Sequence, residues 1–233
     1  MPAFDNDKYL AEQKKAIIQR VGDSNRRLYL EFGGKLIGDY HAARVLPGFD
    51  PNVKIRLLQE LSDQADIIVC IHAGDIERKK VRADLGITYD NDALRLIDDL
   101  RSRQVEVAAV VITRFNGQPE AISFQKRLEK HGIKVFQHRE ITDYPKNFDF
   151  IVSEDGFGAN PYIPVTRTLV VVTGPGPNSG KMGTCLSQIY HEYELGRTAH
   201  YAKFETFPVW NLPLNHPVNI AYEAATADLQ DAN

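Results

Sequence analysis

The chain has 233 residues, of which 43% are hydrophobic and 25% charged, and its formal net charge is −3. This composition is ordinary for a soluble globular protein and excludes intrinsic disorder or a collagen-like structure for the chain as a whole. With 28 basic residues against 31 acidic ones, it also excludes a general nucleic-acid-binding surface, which would need a basic surplus. The length suits one large domain or two small ones with a substantial core.

The two cysteines, Cys70 and Cys185, predict buried structural thiols in a reducing compartment rather than a disulfide framework or a zinc site. The first seven residues have neither the basic nor the apolar region of a signal peptide. Apolar runs stay well short of the ~20 residues that a membrane-spanning helix needs. We therefore expect a cytoplasmic protein with neither a membrane nor a nucleic acid as partner.

Apolar runs and amphipathic segments alternate along the chain. The predicted elements are, in chain order, a helix over 5–21, a strand over 28–32, a helix over 50–61, a strand over 66–71, a helix over 91–101, a strand over 105–113, a helix over 119–131, strands over 133–136, 148–152 and 168–173, a helix over 181–195, a strand over 199–204 and a helix over 217–229. Asp50 and Pro51 resemble an N-cap followed by a proline near the first helical position.

This alternation predicts an α/β fold. We expect a mostly parallel, Rossmann-like or P-loop-like sheet with helices on both faces. A loose boundary near residue 160 would divide the chain into an α/β domain over 1–160 and a segment over 161–233. That second segment contains a candidate phosphate loop, and we expect it to continue the same sheet.

The candidate phosphate loop lies between the predicted strand 168–173 and the predicted helix 181–195. Residues 174–184 read Gly-Pro-Gly-Pro-Asn-Ser-Gly-Lys-Met-Gly-Thr, and we call residues 174–180 the glycine loop. Glycines let the backbone approach a phosphate, while the helix N-terminus and a lysine add positive charge. The predicted ligand contacts are Gly174, Gly176, Asn178, Ser179, Gly180, Lys181 and Thr184.

The glycine loop departs from the common G-x-x-x-x-G-K-[ST] pattern at two positions. Pro175 stands where the first glycine belongs, and Met182 replaces the hydroxyl residue that usually ligates magnesium. Thr184 does not simply replace that hydroxyl, because two helical residues rotate a side chain by roughly 200°. A nucleotide therefore remains a candidate ligand, magnesium is doubtful, and a purely structural Pro-Gly turn is the alternative.

Other polar residues follow the predicted strands where the strands end. The first strand is followed by Glu31, Lys35, Asp39, His41 and Arg44, the second by His72, Asp75, Glu77, Arg78, Lys79, Lys80 and Arg82, and the third ends in Thr113 and Arg114. Loops at the carboxyl ends of parallel strands form the ligand crevice, so these residues could gather around Lys181. Asp39 and His41 are candidate catalytic groups, and Lys35 and Arg44 are candidate substrate contacts. Taken alone, an Asp-x-His pair is usual on a surface, and residues 77–82 fit a solvated helix face.

An acidic pair follows the predicted strand 148–152. Glu154 and Asp155 could supply a catalytic base or a metal ligand, although an acidic turn is the simpler interpretation. His191-Glu192 lacks the second histidine of a zincin helix, and no G-x-S-x-G elbow is present, so neither a metal hydrolase nor a serine hydrolase is supported. No metal ligand set is assigned.

The segment 203–213 combines aromatic residues and prolines without an amphipathic period. It favours an irregular segment that caps the core or packs on a neighbouring subunit, and we expect a homo-oligomer. The alternative is a wall of the ligand pocket that places Phe207 or Trp210 against a base or a sugar.

Five stretches carry a resemblance to a known family. They are residues 32–35, 39–50, 84–90, 174–182 and 201–208. The chain resembles the bacterial family called domain of unknown function 1846, or uncharacterised protein family 0371, over essentially all of its length. The resemblance implies a longer protein of about twice this length, whose N-terminal half corresponds to this chain. It implies no reaction and no catalytic residues.

Three hypotheses follow for the function. The first is an α/β protein that binds a nucleotide or a small phosphorylated ligand through the glycine loop and Lys181, with phosphotransfer or hydrolysis as the reaction. The second is a non-catalytic assembly module in which the glycine turn is structural. The third is the incomplete half of a larger enzyme. Whether the protein is an enzyme stays open at this point.

Overall fold

The computed structural model describes residues 4–22 and 26–204, together with residues 215 and 217. Its helices are α1 (Asn6–Val21), α2 (Tyr40–Val45), α3 (Val53–Leu61), α4 (Ala73–Glu77), α5 (Tyr89–Ser102), α6 (Pro119–Lys130), α7 (Phe148–Ile151) and α8 (Lys181–Glu194), with a short 3₁₀ turn at Phe157–Ala159. Its strands are β1 (Arg26–Phe32), β2 (Ala65–His72), β3 (Val81–Arg82), β4 (Ile87–Thr88), β5 (Val107–Phe115), β6 (Val135–Arg139), β7 (Leu169–Thr173) and β8 (Thr198–Phe204).

Six strands form one parallel sheet in the order β6-β5-β2-β7-β1-β8, and β3 and β4 pair as a separate two-stranded ribbon. The α/β fold with a parallel sheet is therefore confirmed. β7 consists of five fully buried residues because it lies at the centre of the sheet, between β2 and β1. A strand buried on both faces reads as a continuous apolar run, as this one does.

Alternate side chains of each strand enter two separate cores. Leu30, Ile71 and Val171 pack with α1, α3, α5 and α6 in the larger core on one face of the sheet. Tyr29, Cys70 and Val172 pack with Cys185 of α8 in the smaller core on the other face. Helix α8 therefore covers the face that Cys70 and Tyr29 share.

The connections between strands reverse direction at the centre of the sheet. The chain runs from β2 outward to β5 and β6, whereas it runs from β7 past β1 to β8 on the opposite side. In open α/β sheets the ligand crevice lies outside the carboxyl ends of the strands at such a reversal. The glycine loop leaves β7 at this point.

Most of the predicted elements are present within a few residues of their predicted bounds. One helix begins later than expected, because Asn52 occupies the N-cap position and Pro51 precedes the helix. Asp50 instead accepts a hydrogen bond from the amide of Asn52 at 2.8 Å. The predicted helix 217–229 lies outside the described residues except for residue 217.

The predicted strand 148–152 is wrong, because residues 148–151 form the single helical turn α7. The side chain of Asn147 accepts a hydrogen bond from the amide of Phe150 and so caps this turn. Phe148 is 73% exposed and Val152 is 59% exposed. The apolar run that suggested a buried strand therefore points largely outward.

One further difference concerns the chain after β2. The interpretation of residues 77–82 as one solvated helix face is wrong, since α4 ends at Glu77 and Arg82 belongs to β3. Both cysteines are buried and free, as expected. Burial raises the pKa of the Cys70 thiol to about 12, so this sulfur stays protonated.

A buried carboxylate anchors the C-terminal end of α8 to the sheet. Oε1 of Glu192 accepts hydrogen bonds from the hydroxyls of Tyr29 at 2.9 Å and Tyr162 at 2.8 Å, and it also contacts Arg27. Burial alone would raise the pKa of Glu192, but these donors outweigh burial and hold the pKa below its ordinary value. The cluster fixes the direction of α8, and with it the position of the glycine loop at the other end of the helix.

One buried histidine lies on the edge strand β6. His138 is 3% exposed, and its Nε2 atom has no hydrogen-bond partner among the described residues. Burial lowers the pKa of His138 to about 4, although the backbone carbonyl of Pro161 opposes part of this shift. The imidazole is therefore neutral at pH 7.

Within the described ranges, none of the helices combines the length and the apolar character that crossing a membrane requires.

Candidate functional site

The glycine loop joins the buried strand β7 to the first turn of α8. The helix begins at Lys181, and Gly180 occupies its N-cap position with φ of 85°. This left-handed conformation is readily adopted by glycine, which has no Cβ atom. A side chain at position 180 would also place Cβ 2.6 Å from the hydroxyl oxygen of Thr113.

Two other glycines of the loop lie against neighbouring groups. A Cβ atom on Gly174 would lie 2.4 Å from the carbonyl oxygen of Cys70, and one on Gly176 would lie 2.4 Å from Cε1 of Tyr89. Real Cβ atoms do not approach so closely, so a side chain at position 174 would displace the backbone of β2, and one at position 176 would displace the ring of Tyr89. The loop therefore packs tightly between β2 and the start of α5.

Two side chains from other elements hold the backbone of the loop. The hydroxyl of Thr113, at the end of β5, donates to the carbonyl of Ser179 at 2.8 Å. Nη1 of Arg82, on β3, donates to the carbonyl of Pro175 at 2.5 Å. Asp84 and Asp92 in turn pair with Arg82 at 2.9 and 2.5 Å. The loop is therefore held by side chains from two other strands, β5 and β3.

Lys181 folds back over the glycine loop. Its side chain is buried, and Nζ donates to the carbonyl of Gly176 at 3.2 Å and to Oγ of Ser179 at 3.3 Å. Burial lowers the pKa of Lys181 from its ordinary value, and the carboxylate of Glu31 opposes part of this shift. The ammonium group is thus held inside the loop by neutral acceptors.

Glu31 supplies a buried negative charge near Lys181. It lies at the end of β1, is 7% exposed and accepts a hydrogen bond from the hydroxyl of Tyr201 at 2.7 Å. Along β1 its side chain alternates onto the face that carries Tyr29 and α8. Of the polar residues expected to gather around Lys181, Glu31 does interact with it.

The backbone amides of the loop are unusually free of acceptors. Within residues 26–204, the amides of Gly176, Asn178, Ser179 and Gly180 donate to no acceptor, and neither do the three amides of the first turn of α8. Asn178 and Gly180 have φ of 55° and 85°. Turns of this kind direct successive N–H groups into a concavity that accepts an anion.

Two residues next to Lys181 have other roles. The hydroxyl of Thr184 accepts a weak hydrogen bond from Sγ of Cys70 at 3.4 Å, beneath the loop. Met182 is 46% exposed, and its sulfur accepts from the hydroxyl of Tyr144 at 3.9 Å. The hydroxyl of Thr184 therefore faces β2, and the position after the lysine offers a thioether on the surface.

The candidate groups after β1 separate into different surroundings. Asp39 is buried in an ion pair with Lys54, whose Nζ lies 2.6 Å from its Oδ2. Lys35 pairs with Asp84 at 3.0 Å, and Arg44 is exposed on α2. His41 is a residue of α2 whose side chain lies outside the described part of the structure.

Glu154 and Asp155 do not follow a strand, because α7 replaces the predicted one. Both are exposed in the turn after α7, and the electrostatic neighbour of Glu154 is Tyr190, in the third turn of α8. Across the described residues, histidine, cysteine and acidic side chains form no group of three that could hold a metal ion. Phe207 and Trp210, the expected pocket wall, lie outside the described residues.

Arg82 was among the polar residues expected to gather around Lys181, and it does contact the loop, whereas no sequence pattern indicated a role there for Tyr89 or Asp92. A small pocket of about 30 Å³ lies between Gly174, Pro175, Arg82, Asp92 and Lys35. The two-residue strands that position Arg82 are too short to show a pattern. The close approach of Tyr89 to Gly176 depends on tertiary packing alone.

Comparison with known proteins gives consistent matches over the whole chain. Residues 2–233 match the family model described as domain of unknown function DUF1846, N-terminal. A UPF0371 protein of Clostridium botulinum (strain Eklund 17B / Type B) is 61% identical over 230 residues, which cover 99% of this chain and 46% of that protein. A UPF0371 protein of Clostridium tetani (strain Massachusetts / E88) is 60% identical with the same coverage. The chain therefore spans about half the length of these relatives.

Proposed function

The chain belongs to the DUF1846 family, as its motifs predicted, and we propose that it binds the phosphate groups of a nucleotide or of a small phosphorylated molecule in the glycine loop. The observation that carries this proposal is the combination of loop amides that have no acceptor among the described residues with the buried ammonium of Lys181. A phosphate would accept from both kinds of donor, and the N-terminus of α8 favours its negative charge.

The contacts of Lys181 also support an anion-binding role for the loop. Its ammonium group has three donors, and two of them now reach neutral oxygens of the loop itself. Exchange of these acceptors for phosphate oxygens would pair the ammonium group with anionic acceptors in place of neutral ones. The carboxylate of Glu31 opposes the lowering of the Lys181 pKa by burial.

The proposal is for binding, and phosphotransfer or hydrolysis would need further groups. Asp39 is engaged with Lys54, while Glu154 lies beside Tyr190 rather than beside the loop. Met182 offers no hydroxyl for magnesium, and the hydroxyl of Thr184 faces Cys70. A catalytic base or a metal ligand for this site is therefore not assigned.

Isothermal titration of the chain with ATP, GTP and glycerol phosphate tests this function. We expect saturable binding of at least one of them, and about 100-fold weaker binding to Lys181→Met, because two charge-assisted hydrogen bonds are lost. Lys126→Met is the matched control, since it removes the same charge from an exposed position on α6. Its affinity should equal that of the unchanged chain.

Three other outcomes have distinct meanings. Binding that is unchanged in Lys181→Met would contradict the proposed site. Absence of binding to this chain and to the longer Clostridium tetani relative would favour an assembly module with a structural turn. Binding to that relative alone would show that the second half of the family's chain completes the site.

A homo-oligomer in the cytoplasm remains part of the proposal. The two free, buried cysteines are consistent with a reducing compartment. Phe148 and Tyr193 are 73% and 77% exposed, which is consistent with contact to another protein surface.

A further inference from the structure

Two basic side chains lie next to the glycine loop without a role in the proposed function. His72 ends β2, and Arg114 follows Thr113 near the end of β5. His72 is paired with Thr113 across the two strands, and Thr113 donates to the carbonyl of Ser179 in the loop at 2.8 Å. His72 therefore lies about one strand spacing, ~4.8 Å, from Thr113, and Arg114 is the next residue of β5 after Thr113.

The hydrogen bonds of His72 determine which of its ring nitrogens carries a proton. Nδ1 accepts from the amide of Asp75 at 3.1 Å. Burial lowers the pKa of His72, although Asp75 opposes part of this shift, so the ring is neutral at pH 7. A neutral imidazole whose Nδ1 is an acceptor carries its single proton on Nε2.

That proton faces a second donor. Nε2 of His72 lies 3.5 Å from Nη1 of Arg114, which carries only N–H groups. Because both atoms are hydrogen-bond donors, neither provides the other with an acceptor. An anionic oxygen beside both atoms would accept a hydrogen bond from each.

Arg114 has no acidic partner within the described part of the chain. Among the residues that the structure describes, no carboxylate lies within 4.0 Å of its guanidinium group, whereas Arg78 and Lys80 both pair with Asp75. Arg114 also has φ of 49°, a left-handed conformation that is unfavourable for a residue other than glycine. An exposed cation is thus held in a strained conformation beside the loop.

We propose that Nε2 of His72 and the guanidinium of Arg114 form a second anion subsite, which holds another phosphate of the ligand bound in the glycine loop. This inference rests on the proposed function and narrows the ligand class to compounds with at least two linked phosphates, such as nucleoside diphosphates and triphosphates. Consecutive phosphates can span the short distance between adjacent strand ends. Monophosphates would occupy the loop alone.

Titration with orthophosphate, pyrophosphate and tripolyphosphate separates the two subsites without a base or a sugar. We expect the unchanged chain to bind pyrophosphate at least about tenfold more tightly than orthophosphate, which corresponds to one good charge-assisted contact. Arg114→Gly keeps a backbone suited to positive φ. It should remove this preference and leave orthophosphate affinity unchanged.

Lys79→Gly is a closely matched control. Lys79 also has φ of 49° and also carries one positive charge, but its ammonium pairs with Glu120 at 3.8 Å. The Lys79→Gly variant should bind orthophosphate and pyrophosphate with the same affinities as the unchanged chain. In addition, ¹⁵N spectra of the His72 ring should show the proton on Nε2 and a shift of that nitrogen with pyrophosphate but not with orthophosphate.

The outcomes distinguish this inference from the proposed function. If Lys181→Met no longer binds either probe while Arg114→Gly keeps the preference for pyrophosphate, the result supports the loop site and contradicts the second subsite. If Arg114→Gly and Lys79→Gly lose the preference for pyrophosphate to the same extent, net charge explains the preference and the second subsite is overturned. If no probe binds the unchanged chain, both proposals fail.

Discussion

Replacement of Gly180 by alanine should lower the free energy of unfolding by about 3 kcal/mol. The left-handed backbone costs a residue with a Cβ atom about 1–2 kcal/mol, and crowding in a packed region adds about 1–3 kcal/mol. The new Cβ would lie 2.6–2.7 Å from three side-chain atoms of Thr113. Thr113 is buried and bonded to Ser179, so it has little room to move. Denaturant unfolding measures the change.

Gly183→Ala provides the matched control for this loop. Gly183 lies within α8, and a Cβ atom there would have no neighbour within 4 Å. Alanine should stabilise the helix by roughly 0.5–1 kcal/mol because it restricts the unfolded chain. Equal effects of the two substitutions would show that the loop does not require its left-handed turn.

Acidification should destabilise the protein through His138. When folding lowers the pKa of a basic group, the unfolded state takes up a proton at a higher pH than the folded state does. The free energy of unfolding is therefore undiminished above the unfolded pKa and falls as the pH drops from the unfolded pKa to the folded pKa. The pKa of His138 drops from an ordinary 6.5 to about 4 on burial, so the loss falls in this interval. Between pH 7 and pH 4.5 it should amount to about 2–3 kcal/mol.

Comparison of the unchanged chain with His138→Asn isolates this contribution from other titrating groups. The free energy of unfolding of both proteins is measured with denaturant at pH 7 and at pH 4.5. The change in this free energy between the two pH values is then compared between the proteins. On acidification, the free energy of unfolding of the variant should decrease by about 2–3 kcal/mol less than that of the unchanged chain. His200→Gln, at an exposed position of β8, should keep the full pH dependence. An unchanged pH dependence in His138→Asn would contradict the assignment.

The long elements of the fold could be predicted because their patterns reflect burial. β7 and β2 are apolar runs buried on both faces, and α5 and α6 each bury one apolar stripe. The short elements could not be predicted in this way. α4 has five residues and β3 has two, which is too few for a period to show.

Residues 148–152 show why an apolar run alone is ambiguous. Their composition suits a buried strand, but only Ile151 is buried in α7. The side chain of Asn147 caps the helical turn, and this residue lies before the apolar run and is not part of it. Glu154 and Asp155 were placed at a strand end for the same reason.

The sequence predicted the centre of the candidate site and placed Arg82 and Thr113 at the strand ends around it, but it did not predict their contacts with the loop. The strand, the glycines and Lys181 are contiguous, so their local chemistry could be read directly. Arg82, Tyr89 and Thr113 reach the loop from three other elements, and only the folded sheet brings them together. The pairing of Asp39 with Lys54 likewise depends on the packing of α3 beside the end of β1.

A crystal structure of the chain soaked with ATP tests the central claim most directly. We predict phosphate oxygens within about 2.7–3.2 Å of Nζ of Lys181 and of the loop amides, with the contact between Lys181 and the carbonyl of Gly176 replaced. An empty glycine loop with that contact intact, or nucleotide bound only elsewhere on the protein, would contradict the account.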